Sequence, residues 1–93
     1  MGKVHLDGYL HVPADRIEAV NAALPQHIAL TLAEPGCIAF AVIQNPLLPE
    51  RFDVSETFAD HAAFDRHQQR VQASAWAKVT SGLARHYTIR NDS

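Results

Sequence analysis

Two sets of side chains in this sequence could move protons, and the first is built around His67. Asp60 supplies an N-cap oxygen that favours the start of a helix immediately after it. The residues Ala63, Phe64, His67 and Val71 then recur at helical spacing, so His67 shares a face with apolar side chains. An imidazole on such a face points toward the core or a pocket, where it can serve as a base near neutral pH. A partly buried structural histidine is the alternative interpretation.

The second set lies on the first predicted strand, residues 4–12, where polar and apolar side chains alternate. One side carries Val4, Leu6, Leu10 and Val12, and the other carries His5, Asp7, Tyr9 and His11. In one interpretation the polar side lines a cavity together with His67, Phe64 and Trp76. In the other, the two histidines lie in solvent at the rim and Asp7 caps a turn or pairs with an arginine. Tyr9 is then ordinary packing.

Glu56 interrupts an otherwise apolar strand face formed by Phe52, Val54 and Phe58. It can be a buried carboxylate with a raised pKa, or one half of a salt bridge at a subunit interface. The sequence favours the structural role.

Composition excludes several classes of partner and cofactor. The net charge is −2 and the eight Lys and Arg residues are scattered, so a nucleic-acid partner is not expected. The six histidines include no pair at the i, i+4 spacing that places two ligands on one helix face, so no metal site is predicted. No apolar run approaches the ~18 residues of a membrane span, and Cys37 has no partner for a disulfide. We expect a cytoplasmic protein that does not bind membranes.

The chain alternates strand and helix signals in the order of a split βαβ domain. Residues 1–93 form one domain, because no linker or low-complexity segment divides them. The predicted elements are strand 4–12, helix 13–32 with a kink or restart near Leu24 caused by Pro25, strand 37–44, strand 51–59, helix 60–72, a second helical piece 75–84, and strand 86–90. This order predicts an α+β, ferredoxin-like βαββαβ fold with an antiparallel sheet and helices on one face.

The other face of that sheet has no helix to cover it. Residues 37–44 are apolar on both sides, and a chain of 93 residues buries little surface by itself. We therefore expect the bare face to meet the same face of a second copy, giving an isologous homodimer.

The sequence resembles the antibiotic biosynthesis monooxygenase family. The matching residues are Glu34-Pro35-Gly36-Cys37, Phe40, Pro49 with Phe52, Glu56-Thr57-Phe58 and Ala63-Phe64-Asp65-Arg66-His67. The resemblance implies a dimeric α+β barrel that inserts oxygen into phenolic, quinol or anthrone-like rings without metal or flavin, with molecular oxygen as co-substrate. Phe58 stands where the family usually has Trp. Haem-degrading relatives carry an Asn on the first strand, where this chain has Asp7, and a Trp on the second main helix, where it has His67. They also carry a His ligand shortly after that Trp, whereas this chain has no histidine between His67 and His86. Haem degradation is therefore disfavoured.

The leading hypothesis is thus a cofactor-independent monooxygenase acting on a small hydrophobic aromatic substrate. The catalytic candidates are His67 and Asp7, as proton acceptors, and the substrate-binding candidates are His5, Tyr9, His11, Phe64 and Trp76. The competing hypothesis is a non-catalytic, dimeric small-molecule-binding or stress-related protein of the same fold.

Overall fold

The computed structural model describes residues 2–92 as one α+β unit with a single four-stranded sheet. Its elements are β1 (Val4–His11), α1 (Ala14–Arg16, a 3-10 turn), α2 (Ile17–Leu32), β2 (Cys37–Gln44), β3 (Arg51–Phe58), α3 (His61–Gln72), α4 (Ala75–Val79) and β4 (Arg85–Asn91). The strand order is β2-β3-β1-β4, and each neighbouring pair is antiparallel. The predicted ferredoxin-like fold is confirmed.

One face of the sheet is the core face, because alternate residues of the two central strands pair across it. Leu10 pairs with Phe52 and Leu6 with Glu56, and all four side chains are buried. Phe40 of β2 pairs with Glu56 from the other side. The helices cover this face with apolar side chains, which exclude water from it. Glu56 therefore lies in the middle of the core face.

The helix that carries His67 begins where the sequence predicts. Asp60 has extended backbone angles, and its Oδ1 accepts a hydrogen bond of 2.8 Å from the Ala63 amide. This cap satisfies one of the free amide groups of the first turn. The buried face of α3 consists of Ala63, Phe64 and His67, as the helical spacing indicates.

The long helix α2 departs from its prediction in two respects. It runs through Pro25 without interruption, because Pro25 lies on the exposed side and the helix packs on β2 and α4 beneath it. Its buried residues are Val20, His27 and Thr31, whereas Leu32 is exposed. No helix within residues 2–92 is long and apolar enough to cross a membrane.

The loop after α2 approaches α3 closely because residue 36 is a glycine. Gly36 has φ +89°, and a Cβ atom there would lie 2.6 Å from Ala63 Cβ. Any larger residue would clash and would also adopt this backbone angle with strain. The glycine thus lets Glu34, two residues earlier, reach the face of α3.

The last helix is shorter than predicted and β4 is longer. α4 ends at Val79 because Thr80 donates its hydroxyl to the Trp76 carbonyl and Arg85 donates to the Thr80 carbonyl, at 2.8 and 3.1 Å. Gly82 follows with φ +77°. These bonds turn the chain out of the helix before residue 84.

The second face of the sheet carries no helix, as predicted, but it is not apolar throughout. Ile43 of β2 is 62% exposed there. The other strands present mainly polar side chains on that face, among them Asp7, Arg51, Asp53 and Arg90. The aliphatic part of this face therefore comes from β2, the strand whose sequence is apolar on both sides.

Candidate functional site

A cavity of about 360 Å³ lies between the core face of the sheet and the helices. Its apolar wall includes Leu6, Val71 and Trp76, and its polar groups are His27, Glu56, His67, Gln68, Gln72, Thr80, Arg85 and Tyr87. The volume falls within the usual range for small-molecule sites, roughly 300–1,000 Å³. Two histidines and a carboxyl group converge in it.

His67 is held between two carboxyl groups. Its side chain is almost fully buried, with 2% of the residue surface exposed. Its Nδ1 lies 3.1 Å from both Oε1 and Oε2 of Glu34, and its Nε2 lies 3.8 Å from Glu56 Oε1. A carboxylate can only accept hydrogen bonds, so Nδ1 carries the proton of the neutral ring. The lone pair is then on Nε2, on the side of Glu56.

Glu34 is fixed by Arg70, which lies one turn after His67 on α3. Arg70 Nε donates to Glu34 Oε2 at 2.5 Å, and its Nη2 donates to Thr31 Oγ1 at 3.0 Å. The carboxylate therefore binds the imidazole and the guanidinium together. This network ties the end of α2 to α3 and sets the orientation of the His67 ring.

The environment keeps His67 neutral. Burial lowers its pKa below the ordinary 6.5, and the nearby Arg70 charge acts in the same direction. The hydrogen bond and charge of Glu34 oppose this effect without cancelling it. A neutral imidazole with a free Nε2 can accept a proton at neutral pH.

Glu56 is a buried acid beneath the helices and not a group of the open sheet face. Only 8% of its surface is exposed, and Oε1 has no hydrogen-bond partner among residues 2–92. Burial, and after it the charge of Glu34, raises the pKa of Glu56 to about 7. Glu56 is therefore mostly protonated below pH 7 and loses its proton within the neutral range. Cys37 and Tyr87 are its other titratable neighbours, and burial raises the pKa of each.

His27 completes the site, and sequence reasoning missed it. Its ring stacks on the Trp76 indole with centroids 4.6 Å apart and planes 3° apart, and its centroid is 6.3 Å from that of His67. Burial lowers its pKa to about 4, and electrostatic interaction with His67 and with the Arg70 guanidinium acts in the same direction. A helical spacing that connects Val20, His27 and Thr31 could have found it, but the apolar pattern draws attention to Ile28 instead.

The polar face of β1 does not join this cavity. Leu6 points into it, so its neighbours His5 and Asp7 point to the opposite face of the sheet. Asp7 lies 3.4 Å from Arg90 Nη2, and His5 lies 3.1 Å from Asp92 Oδ2. The interpretation that these residues share a pocket with His67 is wrong. Because the apolar residues of β1, such as Leu6 and Leu10, pack in the core, the polar residues that alternate with them lie on the opposite face of the sheet.

Tyr9 and His11 lie on that same outer face. The Tyr9 ring stacks on His86 at 4.7 Å, and the Arg51 guanidinium lies 4.1 Å from its centroid. His11 is half exposed and lies 3.4 Å from Glu50. Together with residues 48–51 they border a separate, open cleft of about 430 Å³, outside the cavity that holds His67. A substrate-binding role for them stays a prediction.

The two aromatic candidates on the helices lie at different depths. Trp76 forms part of the cavity wall. Phe64 is buried one layer deeper, with its ring edge toward Phe58 at a centroid distance of 5.7 Å. Phe58 in turn lies 4.8 Å from the His67 ring. Phe64 therefore packs against Phe58, which in turn packs against the His67 ring.

The part of the chain that the structure describes contains no group of three His, Cys, Asp or Glu side chains placed to hold a metal ion. His27, Glu56 and His67 converge on the cavity, but they do not form such a group.

Comparisons with known proteins agree with this architecture. A protein from Nitrosomonas europaea, named as a candidate antibiotic biosynthesis monooxygenase, superposes with a TM-score of 0.84 at 21% identity, covering 99% of this chain and 92% of the other. A Shewanella oneidensis protein has a TM-score of 0.78 at 26% identity, covering 98% and 91%. SnoaB, a cofactor-independent oxygenase from Streptomyces nogalater, has a TM-score of 0.75 at 16% identity, covering 100% and 95%.

A search of curated protein sequences gave no match. The sequence profile described as antibiotic biosynthesis monooxygenase matches residues 4–79, which include the strand, loop and helix that carry Glu56, Glu34 and His67. The chain belongs to the antibiotic biosynthesis monooxygenase family.

Proposed function

We propose that this protein is a cytoplasmic, cofactor-independent monooxygenase that uses molecular oxygen to oxidise a small phenolic, quinol or anthrone-like substrate. The observation that carries the proposal is the placement of His67. Glu34 holds its Nδ1 proton, so its Nε2 acts as a base beside the cavity. Family membership and the likeness to SnoaB, a cofactor-independent oxygenase, support the same reaction class.

The first step is proton removal from the substrate. His67 Nε2 takes a proton from an activated C–H or phenolic O–H group, which leaves a carbanion or phenolate delocalised over the ring. The imidazolium that forms is stabilised by the Glu34 carboxylate at 3.1 Å. The stacked pair of His27 and Trp76 offers a flat surface along the cavity for a planar anion.

The second step joins the anion to oxygen. An electron pair on carbon forms a C–O bond to O₂, and the terminal oxygen takes a proton to give a hydroperoxide. Loss of the remaining C–H proton then forms the C=O bond as the O–O bond breaks, and the departing hydroxide takes a proton to become water. A CH₂ group plus O₂ thus yields a carbonyl group plus water, with all four electrons supplied by the substrate.

Oxygen uptake tests this proposal. The purified protein is mixed with anthrone and with a panel of quinols, in the presence of a chelator and without added flavin, and both oxygen and product are measured. We expect turnover that falls about 10²–10⁴-fold in His67→Ala, the usual contribution of general base catalysis. His61→Ala is the matched control, since His61 is exposed at the start of α3. Equal rates in the two variants would assign His67 to packing alone.

The alternative function is a non-catalytic binding protein with the same cavity. The chain contains one tryptophan, Trp76, which lies in the cavity wall, so its fluorescence reports ligand binding. Ligand-dependent quenching together with no oxygen uptake for every substrate of the panel would favour the binding protein over the oxygenase.

We further propose that the protein is a homodimer joined through the open face of the sheet. The exposed Ile43 and the small residues Ala39 and Ala41 of β2 support this face as the interface. Sedimentation at micromolar concentration is expected to give twice the mass of the chain. Ala41→Glu, which places a charge on that face, should shift the protein toward the monomer, whereas Ala22→Glu on the exposed side of α2 should not.

A further inference from the structure

The cavity contains an acid as well as a base, and the oxygenase chemistry uses only the base. His67 Nε2 and Glu56 Oε1 lie 3.8 Å apart, and both side chains line the same space. Glu56 Oε1 has no hydrogen-bond partner in residues 2–92. A buried carboxyl oxygen without a partner is costly, and a polar ligand in the cavity would supply one.

We propose that this pair also catalyses keto–enol proton transfer in planar aromatic ketones, a reaction that consumes no oxygen. His67 Nε2 takes a proton from the carbon next to the carbonyl group, and the C–H electron pair becomes the C=C bond of the enol. The carbonyl π pair takes the proton of the Glu56 carboxyl group. The reverse transfers return the ketone and restore both residues, so nothing is oxidised or reduced.

The spacing of the two groups suits this reaction. The α-carbon and the oxygen of a ketone are roughly 2.4 Å apart, as bond lengths of about 1.52 and 1.23 Å require. Donor and acceptor atoms that act on them must each come within about 3 Å. Two protein atoms 3.8 Å apart can satisfy both conditions from one side of the substrate.

The protonation states at neutral pH support the assignment of roles. Burial raises the pKa of Glu56 to about 7, while burial lowers that of His67. Near pH 7 the carboxyl group therefore has a proton to give in about half of the molecules, and in more of them at lower pH, while the imidazole has a free lone pair. Acid–base pairs in enzymes usually consist of two titratable groups whose pKa values are shifted in opposite directions by their environments.

The neighbouring rings select the kind of ketone. His27 and Trp76 lie parallel within 3°, and Leu6 and Val71 add apolar surface to the same cavity. A flat, delocalised enol fits such walls better than a flexible aliphatic chain. The inference shares His67 with the proposed function but requires neither oxygen nor a net oxidation.

The test is hydrogen exchange under argon. 2-Indanone and 2-tetralone are incubated with the protein in D₂O near neutral pD, and loss of the α-proton signal is followed by ¹H NMR relative to buffer alone. We expect catalysed exchange that falls at least tenfold in Glu56→Gln and in His67→Gln. Glu18→Gln is the matched control, because Glu18 is exposed on α2 and is not among the residues that line the cavity. Glu56→Asp, which keeps a carboxyl group, should retain part of the exchange even if the amide variant folds poorly.

Each outcome decides the inference separately from the proposed function. No catalysed exchange in either ketone, or undiminished exchange in folded Glu56→Gln, would overturn it. Exchange without oxygen uptake in air would support it and contradict the oxygenase. Oxygen uptake without anaerobic exchange would support the oxygenase and refute the present inference.

Discussion

Nδ1 of His67 lies 3.1 Å from both carboxylate oxygens of Glu34, although the two residues are 33 positions apart in the chain. The contact joins the loop after α2 to α3, the helix that follows the β2–β3 hairpin. It determines which ring nitrogen carries the proton, and therefore which nitrogen faces the cavity. Glu34 acts on any substrate through His67, so we regard it as a positioning residue.

Replacing Glu34 with Gln tests this role. The amide can present an N–H group to Nδ1 and so favour the opposite tautomer, which places the proton on Nε2. We expect the kcat of the proposed oxygenation to fall about 10–100-fold with little change in KM, because the free Nε2 lone pair is lost. Arg70 also loses its carboxylate, which should lower the free energy of unfolding by about 1–3 kcal/mol. Kinetics and denaturant unfolding of the same preparation measure both effects.

A purely structural Glu34 would behave differently. Its variant would lose stability while the kcat of the folded fraction stayed at the wild-type value. Glu18→Gln provides the control, as a carboxyl-to-amide change at an exposed position on α2.

The pKa of Glu56 makes stability depend on pH in a defined direction. The folded-state pKa of about 7 lies above the ordinary 4.5, so between these values the folded state binds more protons than the unfolded state. The free energy of unfolding therefore falls as pH rises from about 4.5 to about 7 and is level beyond. Glu56→Gln cannot ionise, so its stability relative to wild type should rise across this window by up to about 3 kcal/mol.

Denaturant unfolding at several pH values between 4 and 8 measures that difference. His27 titrates in the same range in both proteins and cancels from the comparison. A constant difference between Glu56→Gln and wild type would mean that Glu56 ionises in the folded protein as readily as in the unfolded chain.

His27 is expected to give the opposite slope. Its folded-state pKa of about 4 lies below the ordinary 6.5, so the unfolded state binds the extra proton between these values. The free energy of unfolding then falls as pH drops from about 6.5 to about 4. His27→Phe keeps a ring to stack on Trp76 and removes the titration, so its stability relative to wild type should increase toward acid pH.

His61→Gln is the control for this measurement, because His61 is exposed. Unfolding of each variant is followed by far-ultraviolet circular dichroism, which does not depend on the stacked indole. If His27→Phe and wild type lose stability in parallel below pH 6.5, the buried imidazole is not the source of the acid sensitivity.

The fold could be predicted from local patterns because each element carries its own signal. Asp60 caps its helix, Pro35 and Gly36 end the preceding one, and alternation sets the faces of β1 and β3. The site depends on contacts distant in sequence. Glu34 is recognisable from the sequence as the end of a helix, but nothing local shows that its carboxylate meets His67.

The interpretation that placed the polar side of β1 in the cavity of His67 was wrong for a related reason, whereas the pairing of Asp7 with an arginine matches the structure. Alternation shows that His5, Asp7, Tyr9 and His11 share a face, but a group of polar side chains does not by itself define a cavity. Leu6 and Leu10 pack beneath the helices in the core, which places the polar residues of β1 on the other face. The carboxyl group buried on the core face is that of Glu56, on the paired strand β3. The residue that looked out of place in an apolar row was the better functional signal.

Asp7 therefore provides the last prediction. It is exposed, and its partner Arg90 Nη2 lies 3.4 Å away on the neighbouring strand. An exposed ion pair of this kind contributes about 0–1 kcal/mol. Asp7→Asn should thus change the free energy of unfolding of the single chain by less than about 1 kcal/mol and leave turnover and anaerobic exchange at wild-type rates. Melting temperature, oxygen uptake and exchange are measured on one preparation. A stable Asp7→Asn variant without activity would mean that the open face of the sheet, and not the cavity beneath the helices, carries the chemistry.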